Sequence, residues 1–319
     1  MSVHIIPTKI TFLGCGKLNT AILSGILSSL PDPPSTFQAP TYTPNEKFLP
    51  NPTVITPTSL TACVHHQSTS TSLTQTFSHS PLVTVLANEN VPGVQRGDII
   101  ILGVEPSVYR PVLAEPGMLD ALKGKTLVSI VGGVSVSKLY DAIFHSSPTS
   151  LTTSEREKHC HIVRVTLGPS AAVRASVSLI SEEAGRRYPP AVLTSVYSLF
   201  MRVGEVKMWP EQLQAAGATM LAGGLAFLSV AVEGMVEGAV GEGVEREEAL
   251  QMAASCLAGL SKLVAGEESP GGVRGKVATP GGSTAAGLEV LEEGRVKELY
   301  REALRVTTFR TSRLDDPKE

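Results

Sequence analysis

The feature that most limits how this chain can fold is a short apolar run that ends on glycine and opens into helical spacing. Residues 9–14, KITFLG, have strand character, and LNTAILSGILSSL (18–30) places apolar residues at helical intervals. Gly14, Cys15 and Gly16 stand between them. Strand, glycine turn and helix in that order begin a β-α-β unit, in which parallel strands are joined by a crossover helix. Further runs of strand type follow at LVTVLA (82–87), DIIILGV (98–104), TLVSIVGG (126–133) and HIVRVTL (161–167), with a short helix expected over 137–144. The continuous apolar run in 98–104 suits a strand buried on both faces. The alternation predicts a parallel, doubly wound α/β domain over residues 1–168.

Residues 31–80 interrupt that pattern. They are rich in proline at first, then polar and low in complexity in HHQSTSTSLTQTFSHS (65–80). Such composition favours a flexible surface excursion, with at most a strand near 39–43. Beyond SVSLIS (176–181) helical patterns dominate, over 190–202, 211–241, 245–266 and 284–306. Residues 169–319 are therefore expected to form an all-α domain. Within it LQAAGATMLAGGLAFLSVAV (213–232) carries no charge and nears the length of a bilayer crossing. It is dominated by alanine and glycine, lacks flanking lysine or arginine, and is bracketed by acids. A tightly packed helix, filling a core or meeting a second chain, is the favoured reading.

Composition excludes several partners. Lys plus Arg number 27 and Asp plus Glu 30, so the near-balanced charge of −3 gives no electrostatic footprint for nucleic acid. Aromatic residues make up only 5%, too few for base-stacking platforms. No membrane partner is expected. The cysteines at 15, 63, 160 and 256 are widely spaced, as reduced thiols of a cytoplasmic protein would be. A start without a basic or arginine-rich leader agrees with that compartment. His65, His66, His79, His159 and His161 lack acids or cysteines at ligand spacing, so no metal site is expected. The acidic run 242–248 fits a solvated helix start.

Two motifs carry chemistry. In Gly14-Cys15-Gly16-Lys17-Leu18-Asn19, the glycines allow a tight turn and close approach of a pyrophosphate, and the following helix offers free N–H groups. Asn19 stands where a third glycine or alanine is usual, and an ordinary glycine turn is the alternative. Cys15 is either a small residue tolerated in that turn or an activated thiol. Near the expected end of the second strand, Thr43, Asn45 and Lys47 suit a ribose 2′-phosphate better than an acid would, which favours NADPH over NADH; Glu46 weighs against it. The second motif, Val277-Ala278-Thr279-Pro280-Gly281-Gly282-Ser283-Thr284, exposes successive N–H groups at a helix start, an arrangement for anions. Ser283 and Thr284 could instead serve only as helix caps.

The stretch from Pro270-Gly271-Gly272-Val273 through Val277 to Glu292 resembles the signature of pyrroline-5-carboxylate reductases. FLGCGKLNTAILSGIL (12–27) resembles the cofactor turn of that family, and DIIILGVEP (98–106) its fourth strand. The resemblance implies an N-terminal Rossmann domain with a mostly parallel sheet, followed by an all-α dimerisation domain that interlocks with a second copy, so that a homodimer, or a larger assembly of dimers, is expected. It also implies a small-molecule cyclic imine as substrate: hydride from NAD(P)H reduces 1-pyrroline-5-carboxylate to L-proline. Thr284 matches the threonine beside the imine nitrogen. Thr279, Gly281, Gly282 and Ser283 match the loop that holds the substrate carboxylate. Gly14, Gly16, Lys17, Leu18 and Asn19 form the cofactor turn, Asn90 aligns near the adenosine ribose, and Val104, Glu105 and Pro106 lie beside the nicotinamide. Three positions depart from the family pattern. Glu105 replaces a lysine, Leu167-Gly168-Pro169 replaces Asn-Thr-Pro, and Thr219 to Gly224 replaces Ser-Gly-Ser-Gly-Pro-Ala. These leave two alternatives to proline synthesis: a related reductase of a different cyclic imine, or a silent nucleotide-binding paralogue.

Overall fold

The computed structural model describes residues 4–31, 53–144, 152–182 and 188–314. The first half runs β1 (His4–Leu13), α1 (Lys17–Ser29), β2 (Thr53–Val64), α2 (Gln67–Thr76), β3 (Val83–Ala87), α3 (Asn90–Arg96) and β4 (Ile99–Leu102). Next come α4 (Tyr109–Leu113), α5 (Met118–Ala121), β5 (Thr126–Ser129), α6 (Val136–Phe144), α7 (Thr153–His159), β6 (His161–Thr166) and β7 (Ser176–Glu182). α8 (Pro190–Phe200) and β8 (Gly204–Pro210) complete the sheet region. The rest is helical: α9 (Gln214–Ala218), a π-wound turn (Thr219–Gly223), α10 (Gly224–Gly241), α11 (Arg246–Ala265), α12 (Pro270–Val277), α13 (Ser283–Glu293) and α14 (Val296–Thr311).

The eight strands form one sheet in the order β3-β2-β1-β4-β5-β6-β7-β8. Every pairing is parallel except β6 with β7. The order in which strands are added reverses between β1 and β4, and the crevice outside the carboxyl ends of those strands is where doubly wound sheets bind ligands. Alternate residues of the central strands feed two cores. Phe12, Ile101, Val128 and Val163 pack on one face with Ile22 and Ile26 of α1. Leu13, Ile100, Leu102 and Leu127 pack on the other with Leu139 and Ile143 of α6. That two-sided burial is why β4 is apolar at every position.

The chain separates into two compact units, residues 1–222 with 308–319, and residues 223–307. The smaller unit is helical, and its interior is small: Val236, Ala249 and Ala253 are buried between α10 and α11.

Three expectations are corrected. Residues 53–77 are not a flexible excursion but supply β2 and α2. Pro57 is tolerated in β2 because the register with β1 slips there, between Thr8 and Lys9. α2 is built from weak helix formers, but Leu73 and the following Phe77 are buried in the core and hold it in place. The expected strand near 39–43, with Thr43, Asn45 and Lys47, lies outside the described residues. The helical half also begins later than residue 169, because β7 and β8 extend the sheet. Finally, 211–241 is neither a single regular helix nor a buried one. Glu211–Gly241 is long and apolar enough to cross a membrane, yet only 11% of its most apolar window is buried within the chain.

Candidate active site

The glycine turn is shaped by the strands on both sides of it. The amides of Gly14 and Cys15 donate to the carbonyl of Cys63 at the end of β2, at 3.2 and 2.8 Å. Gly14 has φ +78°, and a Cβ there would lie 2.3 Å from Cγ1 of Val104, just past β4. Only glycine meets both demands. Gly16, at the start of α1, has nothing within 4 Å of where its Cβ would stand, and no side chain caps the helix. The first-turn amides of α1 therefore face open space at the positive end of a helix dipole. This cradle fits a pyrophosphate, with Lys17 exposed beside it.

Asn19 has a different place from the rest of the motif. It is fully buried, and its amide nitrogen donates to the carbonyls of Gly14 at 3.1 Å and Ile101 at 3.4 Å. A side chain at Gly103 would strike it. Asn19 thus ties the glycine turn to β4, a bracing task that glycine or alanine could not perform. Leu18 is half-buried and packs against the core. Cys15 is buried and contacts the Thr20 hydroxyl at 3.8 Å. Burial pushes its thiol up to about 11, so it is not an activated nucleophile.

Val104, Glu105 and Pro106 follow β4 at the switch point, with Glu105 exposed. Asn90 opens α3, beyond β3, and its amide donates to Oε1 of Glu115 at 2.7 Å. The residues after β2 were missed in the sequence because that strand was not located. They are His65, His66, Gln67 and Ser68, all exposed, at the start of α2, which has no side-chain cap. No carboxylate stands among them. The signal available was the alternation of Val54, Leu60, Ala62 and Val64 with threonine and serine.

In the helical unit, Gly281 has φ +70° and the amide of Gly282 closes a turn onto the carbonyl of Thr279 at 2.9 Å. Gly282 precedes α13 with no side-chain cap. Ser283 and Thr284 are therefore not spent on capping, and both are exposed. The loop presents a hydroxyl pair and an uncapped helix start together, suited to a small carboxylate with a polar atom beside it.

A sheet crevice that fits a dinucleotide, in one chain with a helical unit carrying an anion-type loop, is the equipment of a nucleotide-dependent oxidoreductase. The comparisons narrow this. Residues 211–314 match the family described as pyrroline-5-carboxylate reductase dimerisation. A pyrroline-5-carboxylate reductase of Lophium arboricola is 33% identical over 309 residues, covering 95% of this chain and 92% of that protein. One from Acremonium is 34% identical over 313 residues, covering 96% and 93%. Among solved structures, the Plasmodium falciparum pyrroline carboxylate reductase with NADP bound superposes with a TM-score of 0.73 at 18% identity, covering 97% of this chain and 98% of that one. The Streptococcus pyogenes enzyme gives 0.70 at 18%, covering 96% and 98%. The chain belongs to the pyrroline-5-carboxylate reductase family.

Proposed function

We propose that the protein reduces 1-pyrroline-5-carboxylate to L-proline with NADPH, as a cytoplasmic homodimer. The observation that carries this reading is the uncapped loop at 279–284, with its exposed Thr284, in a chain 33% identical to a named reductase over nearly its whole length.

When bound, NADPH supplies a hydride to the imine carbon. The C=N π bond is thereby replaced by a C–H bond, with the ring nitrogen keeping the proton that activated it. What the protein contributes is orientation and hydrogen bonding, because a protonated imine needs no nucleophile. The Thr284 hydroxyl accepts from the imine nitrogen. Backbone amides around Thr279, Gly281, Gly282 and Ser283 hold the carboxylate without bringing a second charge to the site. Gly14, Gly16, Lys17 and Leu18 seat the pyrophosphate, with Asn19 as the brace behind them. Asn90 stands on the adenosine side and Val104 to Pro106 on the nicotinamide side. Glu105 places an acid where the family pattern has lysine, so the cation facing the cofactor is Lys17.

NADPH is favoured over NADH by the residues after β2. An acid there would grip a free 2′-hydroxyl, whereas His65, His66 and Ser68 offer donors to a 2′-phosphate. The homodimer is supported by the exposed apolar residues of the helical unit, among them Val230 and Met252. Four unpaired cysteines fit a reducing compartment.

The test is oxidation of NADPH by purified protein with 1-pyrroline-5-carboxylate, and the same assay on Thr284→Ala. Turnover is expected to fall by about 10²-fold or more in the variant, the scale of losing a positioned donor or acceptor at the reacting atom. The dissociation constant for NADPH should stay within about twofold, because unit one holds the whole cofactor cradle. Equal turnover in the variant would remove Thr284 from its role.

A further inference from the structure

The adenosine side of the crevice holds a polar contact that the glycine turn does not account for. After β3 the chain bends at Asn88, whose backbone is left-handed at φ +55° and whose amide donates to the carbonyl of Val64 at 2.9 Å. Asparagine is one of the few residue types that visit that conformation readily. The bend brings the start of α3 beside the end of β2, where His65 and His66 begin. Asn90 therefore stands at the same strand ends as the residues read above as donors to the ribose 2′-phosphate.

Glu115 reaches Asn90 from a different element. It opens a turn in which the Met118 amide donates to the Glu115 carbonyl at 2.9 Å, with Gly117 at φ +88° and ψ −7°. Those angles, with proline at 116, make a type II turn, which calls for glycine at its third position. The turn lies against α3, since a Cβ at Gly117 would be 3.5 Å from Cγ1 of Val91. Glu115 is half-buried there, and its Oε1 accepts from the amide nitrogen of Asn90 at 2.7 Å. An ionised carboxylate only accepts hydrogen bonds, so the carboxamide must turn its nitrogen to Glu115 and its oxygen away. That oxygen has no donor among the described residues.

An oxygen held outward in this way suits a ligand that donates. With the 2′-oxygen of NADPH phosphorylated, the 3′-hydroxyl is the donor left on the adenosine ribose. We propose that Glu115 is a positioning residue for the cofactor, holding the Asn90 carboxamide so that its oxygen accepts from that ribose hydroxyl. This rests on the NADPH reading above and adds Glu115 to it. Glu115 acts through Asn90 and touches no reacting atom.

The experiment titrates the full chain with NADPH, with adenosine 2′,5′-bisphosphate and with reduced nicotinamide mononucleotide, the last two carrying the two halves of the cofactor. Asn90→Ala and Glu115→Ala should each raise the dissociation constants for NADPH and for the bisphosphate by about 5-fold or more, the scale of one hydrogen bond. The double variant should bind no more weakly than Asn90→Ala, because Glu115 acts only through that side chain. Affinity for the mononucleotide should not change in any of them, whereas a general loosening of the domain would weaken both halves. Glu115→Gln keeps the volume of the side chain but donates as well as accepts, so it should share the loss by at least about 2-fold, and it serves where Glu115→Ala fails to fold. Wild-type affinity for NADPH in Glu115→Gln, or losses that add in the double variant, would overturn the positioning role and leave the reductase reading standing. Wild-type protein that binds neither NADPH nor the bisphosphate would overturn both.

Discussion

At the scale of single residues, the glycine turn has the least tolerance for change. Gly14 combines a left-handed backbone with contact against Val104, so Gly14→Ala meets a conformational cost of about 1–2 kcal/mol and a clash in addition. A melting temperature lowered by several degrees is expected, together with a rise of at least about 10-fold in the NADPH dissociation constant by fluorescence titration. Gly16→Ala meets no neighbour and should leave the fold unchanged, so the pair separates steric cost from cofactor approach. The buried thiols give a second prediction. Burial pushes Cys15 up to about 11 and Cys63 and Cys160 up to about 12, against an ordinary value of 9.0. Their folded values are raised, so the stability they permit is complete below pH about 9 and is lost as pH rises from there toward the folded values. The unfolded chain loses those protons first, and each thiol then costs roughly 1 kcal/mol per pH unit. Denaturant melts at pH 8 and pH 10 should therefore differ by a few kcal/mol, with the alkaline sample weaker, and Cys15→Ser should reduce the gap. A flat profile would mean that these thiols are accessible to solvent in the native protein.

At the scale of elements, the proposed preference for NADPH rests on the end of β2. The double variant His65→Ala, His66→Ala removes the donors facing a 2′-phosphate but leaves the pyrophosphate cradle intact. Hydrogen bonds to a charged group are worth about 1.5–3 kcal/mol, so NADPH affinity should fall by about 10–100-fold with NADH affinity nearly unchanged. A parallel loss of both would mean that these side chains support the fold and not the phosphate. This element also marks the limit of what was legible. β1, β3, β4, β5 and β6 could be located because each is a run of apolar or β-branched residues bounded by glycine or polar residues, whereas β7 and β8 fell inside the stretch expected to be helical. β2 was hidden by its serines, threonines and Pro57, since its pairing with β1 is decided by tertiary context and a register slip that absorbs the proline. α2 was hidden for a related reason: serine and threonine have weak helix propensity, and burial of Leu73 and Phe77 overrides it. With β2 not located, the expectation for 2′-phosphate contacts fell on residues 43–47, which lie outside the described residues. The turn at 14–16 and the loop at 279–284 were legible as glycine-rich breaks before helices, because glycine followed by helical spacing marks such a start. The bracing role of Asn19 was not, because it depends on Gly103 and Ile101 coming beside it.

At the scale of the whole molecule, the helical unit leaves a broad apolar surface uncovered within one chain. α10 and α11 expose Leu228, Val230, Met235, Met252 and Leu257, each at 40% or more, while only Val236, Ala249 and Ala253 are buried between them. Apolar area on that scale is rarely left to solvent by a soluble monomer. Two occupants could cover it, a bilayer or a second copy, and the helices themselves discriminate. α10 carries Glu233 and Glu237 within its span, and α11 carries Arg246, Glu247 and Glu248 at its start and Lys262 in its last turn. Charges at those spacings are costly in hydrocarbon but tolerable at the rim of a protein interface. The abundant alanine and glycine let helix backbones approach closely, so a second copy of the same surface can pack against them. Light scattering coupled to size exclusion should therefore give twice the chain mass of 33.6 kDa, or a larger even multiple, without detergent. Val230→Arg with Leu257→Arg should shift that mass toward the monomer and leave NADPH binding intact, because the cofactor cradle lies wholly within the other unit. A wild-type monomer at micromolar concentration, or recovery only from membranes, would overturn the second copy as the occupant of this surface.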